Sequence, residues 1–254
     1  MINDERHEKI LEIIKEEDYV TVAYLSRKLF ASESTIRRDL KLLSRDGLIK
    51  RTHGGASAIK NFSIERSLNV RSNTNISKKR RISIAALNLV KNGDFIFMDS
   101  SSTCLIFAQS IKNEINLKIL TNGVLIAHIL SEETDMDVYC ACGKVYSKRS
   151  STNGAETCEY ISRHYANYSF VSGRGLDLVT GLTDNTQEEA MVKSCFKKNS
   201  DKTVALVDSD KLGKRFSHKS LDLLDIDILI TDNGIQDRMK TDIENLGIQL
   251  IIAK

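Results

Sequence analysis

From about residue 82 to the end of the chain, short apolar runs alternate with segments of helical spacing, and this alternation restricts the fold more than any other feature. Residues 82–90 read as helix, Phe95-Ile96-Phe97-Met98 as strand, residues 103–112 as helix, Leu117-Lys118-Ile119-Leu120 as strand and residues 123–130 as helix. Further strands are predicted over residues 138–141, 168–171, 204–207, 226–231 and 249–252. Strand and helix repeated in this way predict a largely parallel sheet covered by helices, an α/β domain. In open sheets of this kind ligands sit beyond the carboxyl ends of the strands, so the residues that follow each strand are the first candidates for a site. Asp99-Ser100-Ser101-Ser102-Thr103 leads from a strand into a helix, where hydroxyls and free backbone N–H groups suit a phosphate, although a serine run is also an ordinary N-cap. Thr121 and Asn122 close the second strand. Asp208-Ser209-Asp210-Lys211 places a carboxylate for sugar hydroxyls near an ammonium for phosphate.

The first sixty residues follow a different pattern. Ile10, Leu11, Ile13 and Ile14 mark an amphipathic helix over residues 6–17, which ends near Asp18 and Tyr19. Thr21 is the expected N-cap of a second helix that buries Val22, Leu25 and Leu29; Ser32 caps a third, over residues 33–46, stopped by Gly47. On that third helix Ile36, Leu40 and Leu43 form one stripe, and Ser34, Arg37, Arg38, Lys41 and Arg45 lie opposite. A cationic ridge with a short hydroxyl near its N-terminus fits a DNA major groove, where arginine bonds guanine bidentately or neutralises phosphate. Asp39 falls near the buried side and is assigned to helix structure or a local ion pair rather than to bases. The stretch Leu48-Ile49-Lys50-Arg51-Thr52-His53-Gly54-Gly55-Ala56 reads as a β-hairpin wing, with Arg51 and His53 along the DNA.

Charge supports the same division. The net charge of the 254-residue chain is +3. Residues 33–81 alone hold 13 Lys and Arg against 4 Asp and Glu, a local +9 that leaves −6 for the rest. Positive potential gathered in one segment is what contact with nucleic acid requires, though a basic run by itself is commonly a solvated face. No stretch approaches the roughly 20 consecutive apolar residues of a membrane helix, and the N-terminus lacks a basic-then-apolar signal, so the cytoplasm is the expected location. The five cysteines, Cys104, Cys140, Cys142, Cys158 and Cys195, lack the paired spacing of a disulfide framework or zinc site. Cys140 and Cys142 are expected as small buried hydrophobes, and neither a metal nor a cofactor is expected. The organisation is therefore a winged helix-turn-helix over residues 1–57, a linker over 58–77 with Lys78-Lys79-Arg80-Arg81 decorating the start of the next helix, and a ligand-sensing α/β domain over 78–254.

The run Ser34-Thr35-Ile36-Arg37-Arg38-Asp39-Leu40, with Gly47 and the Gly54-Gly55 hairpin behind it, closely resembles the signature of the DeoR family of sugar-operon repressors. The resemblance implies that Ser34, Thr35, Arg37, Arg38 and Lys41 occupy a DNA-reading helix. It extends over nearly the whole chain and implies a sensor domain of Rossmann-like fold, similar to phosphosugar isomerases and CoA transferases. Residues 99–103 then match an Asp-x-Gly-Thr-Thr phosphate loop, Thr121-Asn122 a Thr-Asn pair, residues 173–177 a glycine loop and residues 208–211 an Asp-x-x-Lys segment. Ser101 and Ser102 stand where Gly-Thr is usual, and Cys142-Gly143 where Gly-Gly is common. Arg174, between Gly173 and Gly175, stands where a small residue is usual; it is either a phosphate partner or a surface arginine.

These features converge on a regulator of a sugar or polyol operon that binds double-stranded operator DNA, responds to a phosphorylated sugar and assembles as a homodimer or homotetramer, since paired heads are needed for paired half-sites. The competing class is a phosphosugar isomerase carrying a DNA-binding appendage. Such an enzyme needs a positioned general base. Asp99, Asp177, Asp208 and Glu188 are the available carboxylates, and they form no tight acidic cluster in the sequence, so the expectation is a regulator without catalytic residues.

Overall fold

The computed structural model describes residues 3–58, 67–111 and 116–254. It divides into two compact units, Met1–Arg71 and Ser72–Lys254.

In the first unit, α1 (Asn3–Glu17), α2 (Val22–Leu29) and α3 (Glu33–Arg45) pack around Ile10, Ile14, Leu25, Ile36 and Leu40, all essentially inaccessible. Three short strands, β1 (Tyr19–Thr21), β2 (Lys50–Thr52) and β3 (Gly55–Ser57), form an antiparallel sheet in the order β1-β3-β2. The caps sit where short polar side chains were expected. Thr21 Oγ1 accepts from the Tyr24 N–H at 3.1 Å and Ser32 Oγ from the Thr35 N–H at 3.2 Å, each satisfying a helix N–H that has no intrahelical partner. The paired glycines have separate causes. Gly54 turns the hairpin at φ +85°, whereas at Gly55 any Cβ would overlap the carbonyl of Val20 on β1. The strand β1, which turns the hairpin into a three-stranded sheet, has no counterpart in the sequence reading.

The second unit begins with α4 (Leu68–Asn73), which crosses the unit boundary, and α5 (Ile76–Leu87). Then follow β4 (Phe95–Met98), α6 (Ser102–Ser110), β5 (Lys118–Thr121), α7 (Val124–Glu133), β6 (Asp137–Cys140), β7 (Lys144–Tyr146), β8 (Ser151–Asn153) and α8 (Ala155–Ser162). The chain continues through β9 (Ala166–Val171), β10 (Gly175–Asp177), β11 (Gly181–Asp184), α9 (Gln187–Lys198), β12 (Ser200–Leu206), β13 (His218–Leu221), β14 (Ile228–Asp232), α10 (Asp237–Asn245) and β15 (Gln249–Ala253). Seven strands build one sheet in the order β15-β14-β12-β9-β4-β5-β6, every neighbouring pair parallel. All seven strands expected from the apolar runs are in it.

The chain leaves β4 towards β5 and β6, then returns to the other side of β4 and continues through β9, β12, β14 and β15. The direction of winding thus reverses between β4 and β9, which in open sheets of this kind places the ligand crevice beyond their carboxyl ends. Phe97, Phe107, Phe170 and Phe196 fill the layers on either side of the sheet, with Phe107 and Phe170 4.7 Å apart between ring centroids. Burying each such ring contributes roughly 1.5–3 kcal/mol. The strands β10, β11 and β13 form a small antiparallel sheet, and β7 and β8 a hairpin.

Three expectations change. Residues 68–77, expected within the linker, carry α4 and the start of α5, and Leu68 is buried; residues 59–66 and 112 lie outside the described residues. Helix α5 begins six residues before the expected residue 82, because its basic run is not all solvated: Lys79 is 3% exposed and its ammonium donates to the Thr74 carbonyl at 2.6 Å. Cys140 and Cys142 are exposed rather than buried, because β6 is the outermost strand of the sheet.

Candidate functional site

The structure separates two surfaces. On α3, Ile36, Leu40 and Leu43 face the core, while Ser34, Arg37, Arg38, Lys41 and Arg45 are exposed and Thr35 is half-buried at the flank. Arg37 pairs with Glu33 one turn earlier at 2.7 Å, and Arg45 lies 3.8 Å from Asp46. Both are open surface pairs of little energetic weight, so they leave these guanidinium groups available to another partner. Arg38 and Lys41 have no ion pair among the described residues. Ser34 Oγ lies 2.8 Å from Ser32 Oγ, beside the N-cap. Arg51 and His53 are exposed on the hairpin.

Asp39 has the opposite fate. It is 3% exposed and receives Arg6 bidentately, Nε to Oδ2 at 2.6 Å and Nη2 to Oδ1 at 3.2 Å, with His7 Nε2 3.1 Å from Oδ1. Burial pushes its pKa up, but the hydrogen bonds from Arg6 and His7 outweigh burial and hold it below the usual carboxylate range. The third helix is thereby clamped to the first, with its cationic face turned outward.

The second surface is the crevice at the reversal between β4 and β9. Asp99, 2% exposed, accepts from the Ser101 N–H on Oδ1 and from the Ser172 N–H on Oδ2, each at 2.9 Å, and so ties the loops after β4 and β9 together. Ser101 is the N-cap of α6 and accepts from the Cys104 N–H at 3.1 Å, so the serine run does act as a cap. Ser102 and Thr103 form the first turn of α6, both buried, and the Ser172 hydroxyl reaches Thr103 Oγ1 at 3.5 Å. Thr121 Oγ1 is occupied locally by the Gly123 N–H at 2.9 Å. Asn122 Nδ2 donates to the Thr152 carbonyl at 2.8 Å and reaches Asn153 Oδ1 at 3.2 Å. Asn122 Oδ1, buried, has no hydrogen-bond partner among the described residues. From β12's side, Lys211 donates to Ser172 Oγ at 3.1 Å and lies 3.6 Å from Asp208 Oδ2. The loop that carries Asp208 and Lys211 is held by Asp232, which accepts from the Ser209 N–H at 2.7 Å and the Ser209 hydroxyl at 2.9 Å. The structure thus brings Asp99, Thr103, Asp208 and Lys211 onto one network through Ser172.

Comparison with known proteins places both regions of the chain in one family. Residues 6–62 match the DeoR-like helix-turn-helix domain, and residues 74–233 match the DeoR C terminal sensor domain. The HTH-type transcriptional regulator GolR of Listeria innocua is 33% identical over 250 residues, 98% of each chain. The chain belongs to the DeoR family. The glycerol-3-phosphate regulon repressor of Escherichia coli is 29% identical over 91% of this chain and 92% of its own. Among solved structures, ribose 5-phosphate isomerase A from Methanocaldococcus jannaschii overlaps 54% of this chain and 55% of its own, with 16% identity and a TM-score of 0.42.

As a DeoR-family member the chain is a DNA-binding transcription regulator, and its crevice contains groups the sequence did not announce. Ser172 is the hub just described. Lys193, on α9 and 7% exposed at its side chain, lies 2.8 Å from Asp184 Oδ2 and 3.6 Å from Asp99 Oδ2. Burial would lower the pKa of this ammonium, but the attraction of Asp184 and then Asp99 raises it above the ordinary lysine value. Nothing in the sequence marks Lys193, because only the tertiary fold brings α9 against the loop after β4. Gly173 and Gly175 are fixed by packing: a Cβ at 173 would sit 2.7 Å from Leu182 Cδ1, and one at 175 would overlap the Lys214 carbonyl. Arg174, between them, is half-buried, and its N–H bonds the Thr183 carbonyl at 2.9 Å.

The four carboxylates considered for catalysis are dispersed in role. Asp177 lies 3.0 Å from Arg215 and accepts the Val179 and Thr180 N–H groups, and Glu188 is exposed on α9. No group of three or more His, Cys, Asp or Glu able to hold a metal is found among the described residues. No helix among them is long and apolar enough to cross a membrane.

Proposed function

We propose that this DeoR-family regulator represses a sugar- or polyol-utilisation operon in the cytoplasm as a homodimer or homotetramer, and that a phosphorylated sugar or polyol bound in the crevice releases it from DNA. The observation that carries the reading is the two-faced α3, whose Arg38 and Lys41 stand in solvent without ion pairs among the described residues while the opposite stripe is wholly buried. Ser34, Thr35, Arg37 and Arg38 read or clasp the operator, and Lys41, Arg45, Arg51 and His53 contact its phosphates. In the crevice, the backbone N–H groups of Ser102 and Thr103 with Lys211 and Arg174 take the phosphate. Asp208 and Asn122 Oδ1, which has no hydrogen-bond partner among the described residues, take the hydroxyls. Asp99, Ser101, Thr121 and Gly173 shape the loops around it. The name of the Escherichia coli relative supports an effector of this class.

Release requires that the metabolite bind the DNA-free form better, and couplings of this kind are about 1–3 kcal/mol. The test is anisotropy titration of the full chain against a duplex carrying repeated half-sites from DNA beside its gene, with and without a panel of phosphosugars. Arg38→Ala should weaken binding and reduce the salt slope by about one. Its stabilisation by the active phosphosugar should be unchanged. Normal operator affinity in Arg38→Ala would remove α3 as the reading face, and turnover of a phosphosugar by the purified protein would favour the enzyme instead.

A further inference from the structure

Away from the crevice, a second cavity of about 530 Å³ opens between α8, α9 and the start of β13. Two cysteines from different, mutually packed helices line it, Cys158 of α8 and Cys195 of α9. Both are reduced and partly buried, accessible from the cavity and packed against the core from behind. The remaining wall includes Met191, Lys198, His218 and Lys219, and no carboxylate among the described residues lines it. Lys219 is itself held by Asp222 at 2.7 Å. None of these residues belongs to the crevice, and none of the sequence motifs accounts for the pair.

We propose that Cys158 and Cys195 form a reversible redox pair that closes to a disulfide when a hydroperoxide enters this cavity. The Cys195 thiolate attacks one oxygen of the peroxide, and the O–O bond breaks. The leaving oxygen departs with a proton as alcohol or water, and Cys195 becomes a sulfenic acid, two electrons having passed from sulfur to peroxide. Cys158 sulfur then attacks the sulfenic sulfur; the S–S bond forms, the S–O bond breaks and the hydroxide leaves with the Cys158 proton as water. Overall, two thiols and one hydroperoxide give a disulfide, one alcohol and one water, and an external dithiol reverses the change.

The chemical division of labour is already present in the pair. The neighbouring Cys158 thiol and the Lys198 ammonium lower the Cys195 thiol to about 7, against the opposing effect of burial, while the Cys195 thiol and burial raise Cys158. One sulfur is thus a nucleophile near neutral pH and the other a resolving thiol that keeps its proton. Of the other cysteines, Cys104 is fully buried, Cys140 ends the edge strand β6 and Cys142 follows it.

The test uses the reduced full-length protein, treated with hydrogen peroxide, alkylated after unfolding and digested with trypsin without reductant. The expected product is the peptide of residues 150–163 joined to that of residues 194–197, lighter by two hydrogens and separated again by dithiothreitol, with Cys104, Cys140 and Cys142 alkylated. In Cys158→Ala, Cys195 should stop at sulfenic acid and be trapped by dimedone. Independently of oxidation, the pH midpoint for iodoacetamide labelling of Cys195 should lie near 7 in the native protein. It should rise in that variant, because the influence of the neighbouring Cys158 thiol is lost while Lys198, His218 and Lys219 remain. A disulfide involving Cys140 or Cys142, over-oxidation of Cys195 with Cys158 left alkylated, or a labelling midpoint unmoved by Cys158→Ala would overturn the proposal.

Discussion

Lys193 shows how one residue can decide the integrity of a crevice it was never expected to join. Its ammonium lies 2.8 Å from Asp184 and 3.6 Å from Asp99, and all three side chains are at most 7% exposed. Lys193→Met would keep the packing of the stem and strand two buried carboxylates, a loss of about 3–5 kcal/mol. Lys193→Met combined with Asp184→Asn should recover part of it, which chemical denaturation of both variants measures. Asp184 is held below the usual carboxylate range: burial opposes this, but Lys193 and the Ser220 hydroxyl prevail. Its contribution is therefore present above the unfolded-chain value of about 3.9 and is lost as pH falls through the lower folded value. Lys193 is raised, so its contribution is full below about 10.4 and fades only at more alkaline pH. Between those limits the Lys193–Asp184 pair should add no pH dependence to stability. Phe30 presents the reverse case, an apolar side chain 96% exposed in a left-handed conformation at φ 51° between α2 and α3. An L side chain there costs about 1–2 kcal/mol, partly offset in a Phe30→Gly variant by the extra freedom of glycine in the unfolded chain. That substitution should raise stability by roughly 0.5–1 kcal/mol in thermal unfolding. An unchanged or lower melting temperature would mean that the exposed ring makes a stabilising contact of its own.

At the scale of elements, α3 is held in register by a charge pair rather than by apolar packing alone. Asp39→Ala would leave Arg6 without its bidentate partner and cost about 1.5–3 kcal/mol, with DNA affinity and melting temperature falling together. Arg38→Ala should lower affinity with the melting temperature unchanged, and this contrast separates a clamp from a reading residue. The same helix was legible in the sequence because its burial is periodic: Ile36, Leu40 and Leu43 at helical spacing, Ser32 before them and Gly47 after them each report a local rule. The seven parallel strands were legible for a similar reason, since strands covered on both faces read as short apolar runs. By contrast β8 is Ser151-Thr152-Asn153 and β13 is His218-Lys219-Ser220-Leu221, three- and four-residue strands whose pairing comes from the loops around the crevice and leaves no hydrophobic period. The start of α5 was obscured because four consecutive basic residues look solvated. In the fold Lys78 bonds Ser209 and Asp210 at 2.8 and 2.7 Å, and Lys79 caps a carbonyl. Lys193 was invisible for a deeper reason: an ion pair of α9 with the loop after β4 and the end of β11 is set by tertiary contact alone.

For the molecule as a whole, the proposed switch is constrained by reciprocity more tightly than by any contact. If a phosphosugar weakens operator binding by a given factor, operator DNA must weaken phosphosugar binding by the same factor, whatever path connects the two units. A coupling of 1–3 kcal/mol corresponds to roughly 5- to 150-fold in each direction. Calorimetric titration of the active phosphosugar into free protein and into protein saturated with operator should therefore give affinities in the ratio found by anisotropy with the ligands exchanged. The ligand should also stabilise the free protein, by about 2.7 kcal/mol at a hundredfold excess over its dissociation constant. Asn75 and Lys78 provide one place to disturb the coupling without touching either surface. Asn75 Nδ2 donates to Asp208 at 3.2 Å and to Asp210 at 2.8 Å, so the start of α5 is bonded to the loop assigned to the effector. Lys78→Ala should shrink the ratio towards one while leaving operator affinity in the absence of ligand close to that of the native protein. Retention of the full ratio in that variant would exclude this bonded loop as the carrier of the coupling, and unequal ratios in the two titrations would exclude a single linked equilibrium altogether.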